Sequence, residues 1–103
     1  MYRVSVLYGN PTDPATFDQY YRDVHIPLAK KMNGLTRWTL TWSSGQDGEL
    51  DESIYLVADL YAESKEAMDA IFASPEGIAA AADVPKFATG GSTMIFGTEE
   101  QVL

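Results

Sequence analysis

Two hydrophobic periods alternate along this chain in an order that few folds accommodate. From residue 2 to 8 the pattern has period two, with Tyr2, Val4, Val6 and Tyr8 on one face and Arg3, Ser5 and Leu7 on the other, which predicts a strand. Gly9-Asn10-Pro11 ends it. Asp13 before Pro14 reads as an N-cap followed by proline at the first helical position, where the missing N–H costs nothing. Phe17, Tyr20, Tyr21, Val24 and Leu28 then repeat at helical spacing, predicting an amphipathic helix from about 14 to 32, with Asp18 and Arg22 four apart on its outer face. Asn33-Gly34 is a helix stop. Leu35 to Ser43 alternates again, with Trp38, Leu40 and Trp42 opposite Arg37, Thr39 and Thr41. A polar loop, Ser44 to Asp51, separates it from a third strand, Ser53 to Tyr61.

Ser64 caps a second helix carrying Met68, Ile71 and Phe72, and Ser74-Pro75 restarts it as a separate alanine-rich helix to about Ala82. Val84-Pro85 breaks the chain, Lys86 to Ala88 allows one turn, and Gly90-Gly91 leads into a last strand, Ser92 to Thr98. The order is β-α-β-β-α-β, an α+β class of ferredoxin-like architecture with both helices on one face of a four-stranded antiparallel sheet. The third strand is apolar or aromatic on both sides, as expected when both faces are covered. A chain of 103 residues forms one domain, spanning residues 1 to 103, with nothing left to cover the second face. The simplest closure is a second copy in an isologous dimer.

Within the first helix, Pro27 deletes the bond its N–H would make to the Asp23 carbonyl and disfavours helical dihedrals at Ile26. A kink or break at 25 to 27 is expected. His25, the only histidine, stands at this point in a chain without cysteine. With an unperturbed pKa of about 6.5, it is the default proton carrier. Tyr21 precedes it by four, so the two side chains meet on one face. Asp23 points elsewhere, and any partner that orients the ring must come from elsewhere in the fold, from the substrate or from water. His25 is thus either a general acid/base or a packing histidine bonded to a carbonyl freed by Pro27.

Charge and motif content exclude several chemistries. A net charge of -8 disfavours nucleic acid and anionic membrane surfaces. No apolar run reaches the ~20 residues of a membrane span, and the N-terminus is too short and too alternating for a signal peptide, so a cytoplasmic protein is expected. One histidine with scattered carboxylates gives no metal-ligand pair at recognisable spacing, and the acidic cluster Asp47, Glu49, Asp51 and Glu52 lacks the order of a calcium loop. No Gly-x-Ser-x-Gly elbow or phosphate-binding glycine loop is present. No metal and no cofactor are expected.

The run Phe17, Tyr20, Tyr21, His25, Pro27, Leu28 and Ala29, followed by Gly34-Leu35, resembles the first-helix signature of the EthD family in the dimeric α/β-barrel superfamily. Met32-Asn33 stands where proline often precedes that glycine in the family. The resemblance implies a homodimeric barrel of two face-to-face sheets, with a cleft in each subunit between sheet and helices. It also implies cofactor-independent chemistry on a small hydrophobic, aromatic or polyketide-like carbonyl compound: isomerisation, dehydration or cyclisation by proton transfer in a catabolic or secondary-metabolic pathway. A cofactor-free monooxygenase and a non-catalytic binding or accessory protein of a degradation pathway remain open beside it. His25, with Tyr20 or Tyr21 as hydrogen-bond donor, is then the catalytic candidate. Trp38, Trp42 and Tyr55 are candidate cavity walls or barrel-filling residues at the dimer interface, and Phe87 is a candidate for the pocket mouth. Arg3 and Arg37 fall on the opposite strand face.

Overall fold

The computed structural model describes residues 1–43 and 54–103. Four strands, β1 (Tyr2–Tyr8), β2 (Arg37–Trp42), β3 (Leu56–Ala62) and β4 (Ser92–Thr98), form an antiparallel sheet in the order β2-β3-β1-β4. Helices α1 (Pro14–Tyr20), α2 (Ile26–Ala29), α3 (Lys65–Ala73) and α4 (Pro75–Asp83) pack on one face, giving the expected ferredoxin-like α+β fold. The acidic cluster Asp47, Glu49, Asp51 and Glu52 and most of the expected polar loop lie outside the described residues.

The caps work as the sequence suggests. Asp13 accepts from the Ala15 and Thr16 amides, Ser64 from Ala67 and Ser74 from Gly77. Gly34 takes φ +108°, a left-handed conformation open to glycine, and turns the chain toward β2. Pro27 does not break the helix. Tyr21–His25 instead forms a π-helical turn joining α1 to α2, and Ile26 stays right-handed helical at φ -58°, ψ -51°. The Ile26 amide donates to the Tyr21 carbonyl, the longer loop that defines the π turn. A wider turn just before Pro27 absorbs the carbonyl that its ring would otherwise strike. Regular helix ends at Ala29, three residues short of the expected Met32, with Lys30 and Lys31 in a turn.

The register assigns the two sheet faces. Trp38, Leu40 and Trp42, each partly buried, lie opposite Leu60, Ala58 and Leu56, which are buried under the helices. The β2 aromatic stripe therefore faces the core and does not fill an interface on the bare side. The uncovered face carries Arg3, Ser5 and Leu7 of β1, Val57, Asp59 and Tyr61 of β3, and Ile95 of β4. It is less aromatic than expected and is crossed by a polar network. Arg3 Nε donates to Asp59 Oδ1 at 3.0 Å, Ser5 donates to the same oxygen, and Tyr61 donates to Glu99 at 3.0 Å. The Arg37 guanidinium lies 5.5 Å from the Tyr61 ring centroid.

Asp18 and Arg22 do not pair with each other. Asp18 accepts from the Tyr55 hydroxyl at 2.6 Å, and Arg22 lies 5.0 Å over the Trp42 ring. Gly77 sits where α4 starts back across α3. A Cβ there would stand 2.1 Å from the Ile71 carbonyl oxygen and 2.8 Å from Phe72 Cα, both backbone atoms. In an open helix interior Gly→Ala gains up to about 1 kcal/mol. Here Gly77→Ala is expected to destabilise by roughly 1–3 kcal/mol, by the cost of overpacking. Chemical denaturation reads the sign directly, and a stabilised variant would contradict the close approach of the two helices.

Candidate active site

His25 closes the π turn and is buried, with 5 % relative exposure. Its orienting partner is Asp83, the last residue of α4, equally buried at 4 %. His25 Nδ1 and Asp83 Oδ2 are 3.0 Å apart, and the Tyr20 hydroxyl donates to the other carboxylate oxygen, Oδ1, at 2.7 Å. Lys86 Nζ, from the 3₁₀ turn Val84–Lys86, stands 3.9 Å from the same Oδ1. A carboxylate at a helix C-terminus meets the negative end of the helix dipole. Its burial there is tolerable because two donors and a nearby ammonium compensate the charge.

The protonation states follow. Burial would raise the Asp83 pKa, but the hydrogen bonds from Tyr20 and His25 outweigh it and hold the carboxyl below its ordinary value. Burial pulls the imidazole below its ordinary value, and the bond to Asp83 offsets only part of that. At neutral pH the pair is a carboxylate and a neutral imidazole. Asp83 then accepts from Nδ1–H, which leaves Nε2 as the basic nitrogen. Among the described residues nothing hydrogen-bonds Nε2.

His25 lines a cavity of about 30 Å³ between sheet and helices. Tyr8 and Ala58 supply the sheet wall, Tyr21 and Ala29 the helical wall, and Met32, Phe72 and Met94 the outer rim. The volume is about that of one water molecule. Met32 and Met94 are flexible thioethers, Met94 is 38 % exposed on the edge strand, and these rim side chains must turn aside for a larger guest. A larger concavity of about 300 Å³ lies on the bare sheet face around Arg3, Leu7, Val57 and Ile95. Its polar groups satisfy one another through the Arg3–Asp59–Ser5 and Arg3–Glu99 contacts. The cavity at His25 therefore holds the chemistry despite its smaller size.

The other sequence candidates divide. Trp38 lines the His25 cavity. Tyr21 does so too, its ring centroid 5.2 Å from that of His25. Tyr20 instead points to Asp83 and stacks on Phe87 at 5.5 Å, beside a separate surface recess. Phe87 is buried, with its ring 4.7 Å from His25; it packs behind the imidazole and does not close the mouth of its cavity. Trp42 and Tyr55 pack on Phe17, away from the cavity, and the Tyr55 phenol is pushed up to about 12, by burial first and then by Asp18. Asp83 escaped the sequence reading. Its one local signal is an acid placed at a helix C-terminus directly after the small-residue run Ala79 to Ala82, whose Ala80 and Ala81 border the same cavity. Among the described residues no three His, Cys, Asp or Glu side chains converge as metal ligands, and no helix is long and apolar enough to cross a membrane.

The depressed His25 value has a signed consequence. The folded state resists a proton that the unfolded chain accepts at about 6.5. The His25 contribution to stability is therefore complete above about pH 6.5 and is lost as pH falls toward the folded-state pKa. In Asp83→Asn the carboxylate no longer supports the imidazolium, and the pKa should drop further. With one histidine in the chain, a single NMR resonance reports the titration. A midpoint that rises on removal of Asp83 would contradict the pairing.

Residues 10–91 match the EthD domain. The whole chain aligns at 47 % identity with an uncharacterized 11.0 kDa protein of the thcB-thcC intergenic region of Rhodococcus erythropolis, covering 99 % of that protein. The crystal structure of an ethyl tert-butyl ether D family protein from Bacillus halodurans superposes with TM-score 0.89 at 32 % identity, over 97 % of this chain and 99 % of the other. SnoaB, a cofactor-independent oxygenase from Streptomyces nogalater, shares the fold at TM-score 0.66 and 19 % identity, over 99 % and 94 % of the two chains. The domain match spans most of the sequence, carries the π turn and its histidine, and agrees with both full-length alignments: the chain belongs to the EthD family.

Proposed function

We propose that this protein is a cofactor-independent enzyme that moves a proton on a small, mostly apolar carbonyl compound, with His25 as the acid/base and Asp83 as its positioning residue. The observation that carries this reading is the buried His25–Asp83 contact, 3.0 Å long, beside an apolar cavity that His25 lines. A packing histidine needs no carboxylate at a helix C-terminus, where its charge is disfavoured. A neutral imidazole whose Nδ1–H is fixed by a carboxylate is a base ready to act, and positioned proton transfer contributes about 10²–10⁴-fold in rate. Tyr20 acts through Asp83, holding the carboxylate and not the substrate.

Acetophenone in D₂O is a suitable first probe, because its methyl protons exchange only through the enol. Exchange followed by NMR should be accelerated by the protein. His25→Gln should lose this by about 10²–10⁴-fold while keeping its fold by circular dichroism. Asp83→Asn should lose a smaller part. Its pH–rate profile should also move its acidic limb to lower pH, which a merely structural role would not do. Full exchange by His25→Gln would refute the assignment.

The second copy expected from the sequence belongs to the same reading. The uncovered sheet face exposes Ile95 at 56 % on edge strand β4, on the same face as Leu7 and Val57, and pairing two such faces removes this apolar surface from water. Sedimentation at micromolar concentration should give a dimer, and Ile95→Asp should shift it toward monomer. A wild-type monomer would contradict the pairing.

A further inference from the structure

Two buried polar side-chain atoms among the described residues have no hydrogen-bond partner: Tyr21 Oη and Trp38 Nε1. Both belong to residues that line the cavity at His25. Leaving a buried donor unsatisfied costs about 1–3 kcal/mol, so two in one small cavity call for an occupant. They come from different elements, Tyr21 from the π turn and Trp38 from β2. The indole N–H only donates. The Tyr21 phenol is held well above its ordinary pKa, by burial first and then by Tyr8, with the neighbouring Trp38 indole acting the other way, so it keeps its proton and can donate. Tyr21 is fully buried. Val6, Ala29, Ala58 and Leu60 of the lining have no side-chain polar group to offer, and the other polar groups there are the Tyr8 phenol and the His25 imidazole.

We propose that Tyr21 Oη and Trp38 Nε1 form a two-donor seat for one acceptor oxygen, which selects an apolar ketone and stabilises its enolate. This rests on the reading of His25 as the base. His25 Nε2 takes a proton from the carbon next to the carbonyl. The C–H electron pair forms the C=C bond, and the carbonyl π pair moves onto oxygen. The resulting oxyanion accepts from the phenol and the indole; return of the proton from His25 to oxygen gives the enol, and return to carbon regenerates the ketone. No oxidant or further reactant is consumed. Donors fixed before the reaction stabilise the charged oxygen more than the neutral carbonyl, so the seat assists the chemical step and not binding alone. An alcohol or carboxylate guest is disfavoured. The alcohol has no acidic C–H, and the carboxylate brings a second anionic oxygen beside Asp83.

The test compares acetophenone with ethylbenzene, which has similar size and no acceptor oxygen. Wild-type protein should bind acetophenone about tenfold more tightly. Tyr21→Phe and Trp38→Phe should each remove most of that preference while leaving ethylbenzene binding within a factor of about two. Independently of any variant's folding, one of the two indole N–H resonances of the wild type, assigned to Trp38 by its survival in Trp42→Phe, should move downfield with acetophenone and stay put with ethylbenzene. Preference retained in Tyr21→Phe and Trp38→Phe, or an unmoved Trp38 resonance, overturns the seat and assigns the two donors to a trapped water. His25→Gln separates the two readings. Preference retained with exchange lost supports the seat and the base together. A wild-type preference that depends on Tyr21 and Trp38 with no exchange supports the seat and overturns the base.

Discussion

The buried contact between His25 and Asp83 organises the functional half of this molecule. It joins the first helical run to the last turn of α4, two segments 58 residues apart, beneath a layer of aromatic side chains. Each partner alone would be poorly placed. The imidazole would sit in an apolar pocket with nothing to fix its tautomer, and the carboxylate would face the negative end of its own helix. Together, with the Tyr20 hydroxyl on the second oxygen, they form a satisfied polar cluster, and such clusters fix one geometry where loose packing would allow several.

Local features of the chain serve this contact. The π turn places Tyr21 and His25 on the cavity wall while carrying the helix through Pro27. The small side chains of Ala80 and Ala81 line the same cavity one turn before Asp83, leaving room for the imidazole and its guest. Phe87 backs the His25 ring and shields the pair from solvent, which strengthens its hydrogen bonds. Outside this region the sheet completes the core: the aromatic stripe of β2 turns inward, and of its two tryptophans Trp38 lines the cavity while Trp42 packs on Phe17.

The fold was largely legible from periodicity and caps. Alternation in residues 2–8 and the Ser64 and Ser74 caps map onto β1, α3 and α4 almost without adjustment, because these elements are set by local chemistry. His25 was legible as the one side chain that titrates near neutral pH. Three things were not. Proline in a helical pattern argues for a break, and only the tertiary packing of Tyr21 and His25 shows that a π turn is cheaper. The inward turn of Trp38 and Trp42 depends on register with β3, which alternation alone leaves ambiguous by a flip of the strand. Asp83 was invisible because a contact across 58 residues leaves no local pattern. The rest of the fold was one of three sources open for the partner, beside substrate and water, and nothing near His25 named Asp83.

The central claim is that Asp83 holds a neutral His25 with its proton on Nδ1 and its lone pair on Nε2, facing the cavity. Nitrogen-15 NMR of the single imidazole at neutral pH tests this most directly. The account predicts a protonated Nδ1 whose proton resonates far downfield, a bare Nε2, and loss of the downfield signal when Asp83 becomes Asn. A neutral ring protonated on Nε2, or a fully protonated imidazolium at neutral pH, would contradict it.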